Sequence, residues 1–209
     1  MKTITELQTE LQEAATQLET ISGELATLQQ PKEKQEVDFQ HIEIVGQRYP
    51  MSTHHMEGQP QELQKHYFAV LSRLLLSECD NPRNGWLFVQ RLLTTAGCSV
   101  SLTGLQADAG ALTAEQLDQT TTEIITKELQ NGMLLDLMLL YLACEGREQA
   151  QDYITTVAEL LGSQSQEVRE LAKLATYIAK KDAEKMKVWI EDSAFDLKFA
   201  EGHLAEVDA

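Results

Sequence analysis

Little in this chain would interrupt a helix. Its 209 residues include only four prolines and eleven glycines, too few for the frequent turns of a many-stranded β fold. Cysteine is equally scarce. Cys79, Cys98 and Cys144 are odd in number and far apart in sequence, a pattern of buried thiols in a reducing cytoplasm rather than a disulfide framework. No window reaches the roughly 18 consecutive apolar residues that a membrane span requires. The opening MKTITELQTELQ lacks the apolar core of a signal peptide, so a cytoplasmic location is expected. Positive charge is also in short supply: 17 Lys and Arg stand against 33 Asp and Glu, for a net charge of −16. The acidic excess gathers at the two ends, with four basic against ten acidic residues over 1–58 and three against eight over 182–209. Phosphate binding needs clustered Lys and Arg to displace counterions. Without a basic stripe, direct nucleic-acid binding is not expected. The acidity suits solubility, a basic partner protein or divalent cations.

Catalytic motifs are missing as well. The phosphate loops GxxxxGK[ST] and GxGxxG, the nucleophile elbow GxSxG, and the HExxH and CxxC patterns do not occur. The cysteines lie in apolar helical contexts, where thiols are usually inert. The expectation is a non-enzymatic protein without a cofactor.

What the chain does contain is helical periodicity, strongest over residues 3–30. Ile4, Leu7, Leu11, Ala14, Leu18, Ile21, Leu25 and Leu28 follow one another in alternating steps of three and four, the a/d seam of a left-handed coiled coil. Thr, Glu and Gln fill most other positions, so the helix has one narrow apolar stripe that needs a partner helix to be stable in water. Pro31 stops it. Glu10 and Glu24 at flanking positions find no Lys or Arg across a parallel homodimer seam. A second copy, another protein or this chain's own body therefore all remain open as partners. Ile4, Leu7, Leu11, Leu18, Ile21, Leu25 and Leu28 are the candidate partner-binding residues.

Residues 31–59 read as a linker. With Pro60, this stretch holds three of the four prolines, and it holds three of the five histidines. Val37, Phe39, His41 and then Ile42 and Ile44 predict a short extended segment. The neighbours His54 and His55 point in different directions, and no ligand lies at suitable spacing except Glu57, which argues against a metal site there.

From residue 60 to 209 a helical bundle is expected. Leu63, Tyr67, Val70, Leu71, Leu74 and Leu75 recur at helical spacing over 61–79, and Trp86, Val89, Leu92 and Leu93 over 83–96. GCSVSLTGLQADAG reads as a loop. Thr113 with Gln116 makes a capping box for the next helix. Residues 133–143 are so apolar that they predict a central buried helix, with Asp136 and Tyr141 as its only solvent face. Helices over 147–161 and 164–181 follow, and a last one from about Ala183 towards His203. Should Asp136 instead be buried, a charge there is costly unless paired, with Arg73, Arg91 or Arg169 as partner.

Residues 74–97 align with 139–162 at an offset of 65. Cys79 meets Cys144, Asp80 meets Glu145, Phe88 meets Tyr153, and Gly97 meets Gly162. Each stretch is an apolar helix, an acidic corner, a second helix bearing an aromatic residue, and a closing glycine. Such a two-hairpin repeat competes with chance similarity between amphipathic helices. On these residues the second copy, LACEGREQAQDYITTVAELLG, resembles the TerB-like (tellurite-resistance B) helical domains. Glu145-Gly146 stands at their Asp-Gly corner, Asp152 near the acidic helix start, and Leu161-Gly162 at the stop. The resemblance covers about 60–181; Glu replaces the usual Asp at 145. It implies an all-α, pseudo-symmetric fold and association with bacterial stress-response or phage-defence systems. If the hairpins converge, Asp80, Glu145 and Asp152 become candidate ligands for Ca²⁺ or Mg²⁺, which prefer oxygen donors; otherwise they are exposed carboxylates at helix N-termini. The leading expectation is a scaffold or interaction subunit. The alternative is a TerB-like, divalent-cation-responsive binding domain.

Overall fold

A computed structural model describes residues 37–77 and 79–207, and within them the chain is all α-helical. Ten α-helices follow one another: α1 (Phe39–Arg48), α2 (Gln61–Leu75), α3 (Pro82–Ala96), α4 (Leu102–Ala111), α5 (Ala114–Thr126), α6 (Gln130–Cys144), α7 (Glu148–Leu160), α8 (Ser165–Ala179), α9 (Ala183–Asp192) and α10 (Glu201–Ala205), the last preceded by a 3₁₀ turn at Leu197–Ala200. No strand forms among the described residues; a single antiparallel bridge joins Cys79 to Gly146. The expected coiled-coil seam lies outside the described residues.

Local chemistry explains most helix starts. Asp38, Asn81, Ser101, Thr113 and Asp182 each accept a hydrogen bond from a backbone N–H three residues on, satisfying one of the donors a helix N-terminus leaves free. Pro82 occupies the first turn of α3, where a missing N–H does no harm. The capping box of Thr113 and Gln116 is present.

Helix α6 is the centre of the body. Gly132 to Leu140 and Cys144 are buried, and α6 packs against α2, α3, α7 and α8. Each fully buried Leu or Met side chain contributes about 1.5–3 kcal/mol, so this run dominates the core. Its solvent face is only in part the one the sequence predicts. Asp136 is wholly buried, and Leu142, 38% exposed, together with half-buried Tyr141, faces outwards.

Four other expectations change. Residues 39–48 are helical rather than extended: α1 lays Ile42 and Gly46 against α3, and Phe39 meets Trp86 edge-on at 5.0 Å. Of the apolar residues read as alternating, Phe39 and Ile42 are three apart while Ile44 is exposed, and Asp38 supplies the cap that decides for a helix. Residues 50–60 are a strap that is packed in part against the body, with Met51, His54 and Met56 buried. The Gly/Ser/Thr-rich stretch after Gly97 folds into α4, where Leu102, Leu105 and Ala109 share a buried face and Ser101 caps the start. The expected last helix breaks at Ser193, giving α9, the 3₁₀ turn and α10.

Candidate functional site

Asp136 has no solvent exposure and sits mid-helix in α6. A lone buried carboxylate there would be strongly destabilising, so its partners define the site. None of Arg73, Arg91 and Arg169 is among them. Arg73 caps α4 through the carbonyls of Ala109 and Gly110, Arg91 binds the Tyr49 carbonyl and Glu206, and Arg169 is exposed. The partners are His54 and His203, brought in from both ends of the described chain, and Tyr67 from α2. His54 Nε2 lies 2.8 Å from Oδ2, Tyr67 donates its hydroxyl to the same oxygen at 2.6 Å, and His203 Nε2 lies 2.7 Å from Oδ1. His55 adds an outer contact, with Nε2 2.8 Å from the Tyr67 hydroxyl and Nδ1 3.2 Å from the Phe199 carbonyl.

The strap and the C-terminal segment reach Asp136 because small residues let them approach. A Cβ on Gly132 would fall 2.5 Å from the His55 ring, and one on Gly202 would fall 1.9 Å from the Thr53 carbonyl oxygen. Gln64 fixes the strap from below, donating from Nε2 to the carbonyls of Met56 and Ala96. Rings wall the cluster: Phe68 stacks on His54 and Phe88 on His203, each pair with centroids 6.0 Å apart. The side chains of His54, His55, Asp136 and His203 are between 0% and 5% exposed, and Tyr67 is fully buried.

Protonation follows from the contacts. Burial works against ionisation of Asp136, but the attraction of His54 and hydrogen bonds from His203 and His54 outweigh it, holding the carboxyl well below its usual range. Asp136 is thus a carboxylate and only accepts. Burial and the adjacent carboxylate push Tyr67 well above the ordinary phenol range, so its proton stays on oxygen. The Met56 backbone N–H lies 3.3 Å from His54 Nδ1, and His54 Nε2 is the ring nitrogen aimed at Asp136. Burial first, then repulsion from His54, pushes His55 down to about 3 against the pull of Asp136. Neutral His55 has one N–H, and Tyr67 directs its own proton to Asp136. His55 therefore donates to Tyr67 or to Phe199, not to both.

His54, Asp136 and His203 are the group of metal-ligand type that converges among the described residues, with ligand atoms all within 4.8 Å of one another. Two imidazoles and a carboxylate suit zinc or iron-class metals rather than Ca²⁺ or Mg²⁺. One contact is unfavourable to a metal. A ligating histidine ordinarily donates its second N–H to an acceptor, whereas His54 Nδ1 faces the Met56 donor.

Asp80, Glu145 and Asp152 do not form such a group among the described residues. Asp80 pairs with Arg147, while Glu145 and Asp152 are exposed, Glu145 as the left-handed residue ending α6. The two corners do lie side by side: the backbone N–H groups of Asp80 and Asn81 donate to the carbonyls of Glu145 and Cys144 at 3.2 and 2.8 Å. The sequence missed the histidine cluster because its members are 82 and 67 residues from Asp136. The one available signal was a charge inside an apolar run combined with unassigned histidines in a supposed linker. A scan against family models finds no match, and no curated protein or solved structure matches this chain significantly.

Proposed function

We propose that this chain is a non-enzymatic interaction subunit, a helical body whose N-terminal arm engages a second copy or another protein. The carrying observation is that the cluster with catalytic-type side chains, around Asp136, is sealed and spent on internal hydrogen bonds. It ties the strap and the C-terminal segment to α6 and leaves no access for a substrate. Apolar side chains meanwhile remain on the surface, with Ile44 66%, Tyr49 60% and Val188 59% exposed. The narrow seam over 3–30 supplies the recognition element, and a bacterial stress-response or phage-defence complex in the cytoplasm is the proposed setting, for which the TerB-like resemblance is the support. The test is the full chain carrying Leu11→Asp and Leu18→Asp. Size-exclusion chromatography and capture of the wild-type partner should show association lost, with circular dichroism of the body unchanged. Retained association, or collapse of the whole fold, would refute this reading.

A second reading is a metal-responsive domain. The convergence of His54, Asp136 and His203 favours it, and moves the expected cation from Asp80, Glu145 and Asp152 to nitrogen donors. It ranks second because of the Met56 contact. Metal analysis of the purified chain and a Co²⁺ absorption titration decide it: a stoichiometric ion, lost in His203→Gln, would promote this reading over the first.

A further inference from the structure

The two cysteines aligned by the 65-residue offset meet in space. Cys79, half-buried at the α2–α3 corner, and Cys144, buried at the end of α6, place their sulfurs 2.9 Å apart. They are distant in sequence, yet the backbone fixes the encounter. The Cys79–Gly146 bridge and the two hydrogen bonds from Asp80 and Asn81 hold the corners in register, and the Asp80–Arg147 ion pair spans them. Behind them, α3 comes close enough that a Cβ on Gly85 would fall 2.9 Å from the Cys144 Cβ. The thiols are thus held facing each other by both corners at once.

We propose that Cys79 and Cys144 are a peroxide-responsive dithiol site that closes to an intrachain disulfide. The inference stands apart from the function proposed above. A disulfide bond is about 2.0 Å long, so closure needs a movement of about 0.9 Å from the present 2.9 Å. Cys79 is the attacking sulfur because it is the more exposed of the two. Its hydrogen-bond contact with Cys144, opposed by burial and by Asp80, also draws its proton affinity down. The Cys79 thiolate attacks one oxygen of hydrogen peroxide, breaking the O–O bond; the departing oxygen leaves as hydroxide and takes up a proton to become water. The Cys79 sulfenic acid is then attacked by the Cys144 sulfur, which releases its proton, and the S–O bond breaks with loss of a second water. Two thiols and one peroxide give one disulfide and two waters. Cys98 lies elsewhere, half-buried, with its thiol pushed up by burial, and serves as an internal control.

The experiment uses the full chain, reduced and then treated with a small excess of hydrogen peroxide. Thiol titration should fall from three groups to one, the intact mass should drop by about 2 Da, and digestion without reductant should yield one cross-linked peptide joining Cys79 to Cys144. Closing a loop of this length should raise the melting temperature by about 5–10 °C, reversed by dithiothreitol. Cys79→Ser should abolish the mass loss. Should that variant misfold, the wild-type peptide map alone decides. Three thiols oxidised independently, a link involving Cys98, or a mass loss surviving in Cys79→Ser would overturn the proposal.

Discussion

The two hairpins, 74–97 and 139–162, end alike and begin differently. At the end of α3, Gly97 N–H bonds to the Thr94 carbonyl and Cys98 N–H to that of Leu93; 65 residues on, Gly162 bonds to Glu159 and Ser163 to Ala158. Both glycines are left-handed, with φ of 72° and 68°. Their beginnings diverge. Helix α2 stops at Leu75 and needs the stretch 76–81 to reach α3, whereas α6 runs on to Cys144 and turns at once through left-handed Glu145. The helices that lead into the hairpins diverge further. Carried back by the same offset, Asp136, three residues before the second stretch, corresponds to Leu71, three before the first, and both are fully buried. Where the helix before the first hairpin buries a hydrocarbon, the helix before the second buries a charge. That charge is tolerated because His54 and His203, outside both hairpins, are folded onto it. The difference lies at one core position, which in α6 fastens distant segments of the chain.

Making the second hairpin like the first breaks the comparison most severely. Asp136→Leu removes the acceptor of His54, His203 and Tyr67 together, stranding three buried donors. Removing one side of a buried polar pair costs about 3–5 kcal/mol, and urea denaturation should show a loss of that order. A neutral result would mean that the strap and C-terminal segment are held by packing alone. Conversely Leu71→Asp, with no histidine delivered to it, should fail to fold.

Acid probes the same difference more gently. His55 has a folded pKa of about 3 against 6.5 when unfolded, so between those values the unfolded chain binds a proton that the folded chain refuses. Stability from this group is fully present above pH 6.5 and falls as pH drops, by up to about 1.4 kcal/mol per pH unit. Asp136, held below its ordinary value of 3.8, adds a further loss only below that pH. Urea midpoints measured from pH 7.5 to 4 should therefore decline in the wild type and flatten in His55→Gln. An unchanged slope in that variant would remove His55 from the cause.

Much of the fold could be read in advance, and the parts that could not share a physical reason. Periodicity revealed α2, α3, α6, α7 and α8, because each buries one stripe or, for α6, nearly every side. The Thr113 cap was equally plain, since a capping box is local chemistry. Helix α4 was hidden because its small residues look like loop and only Leu102, Leu105 and Ala109 mark its buried face. The strap was hidden because its order comes from contacts such as Gln64 with Met56, which no local pattern encodes. The site was legible only as a question. Asp136 in an apolar run demanded a partner, and arginine was the wrong answer because His54, His203 and Tyr67, all distant in sequence, supply the contacts instead. The acidic corners were found in sequence for a resemblance to cation sites, yet what they bring together is sulfur.

The smallest effect sharpens the comparison where the hairpins agree. Gly97 and Gly162 both have positive φ, and a Cβ added to either meets nothing within 4 Å. Substitution by alanine therefore costs backbone strain without a clash. Left-handed backbone costs an L-residue roughly 1–2 kcal/mol, offset by the smaller entropy of the unfolded alanine chain, about 0.4–1 kcal/mol. Gly97→Ala and Gly162→Ala should each lower stability by about 1 kcal/mol, and by similar amounts, since both positions carry the same pair of closing hydrogen bonds. Their sites are separate, so the double variant should show the sum. Unequal costs would mean that one terminus is held by its surroundings rather than by its own backbone, and that the two stops are alike in hydrogen bonding but not in what they support.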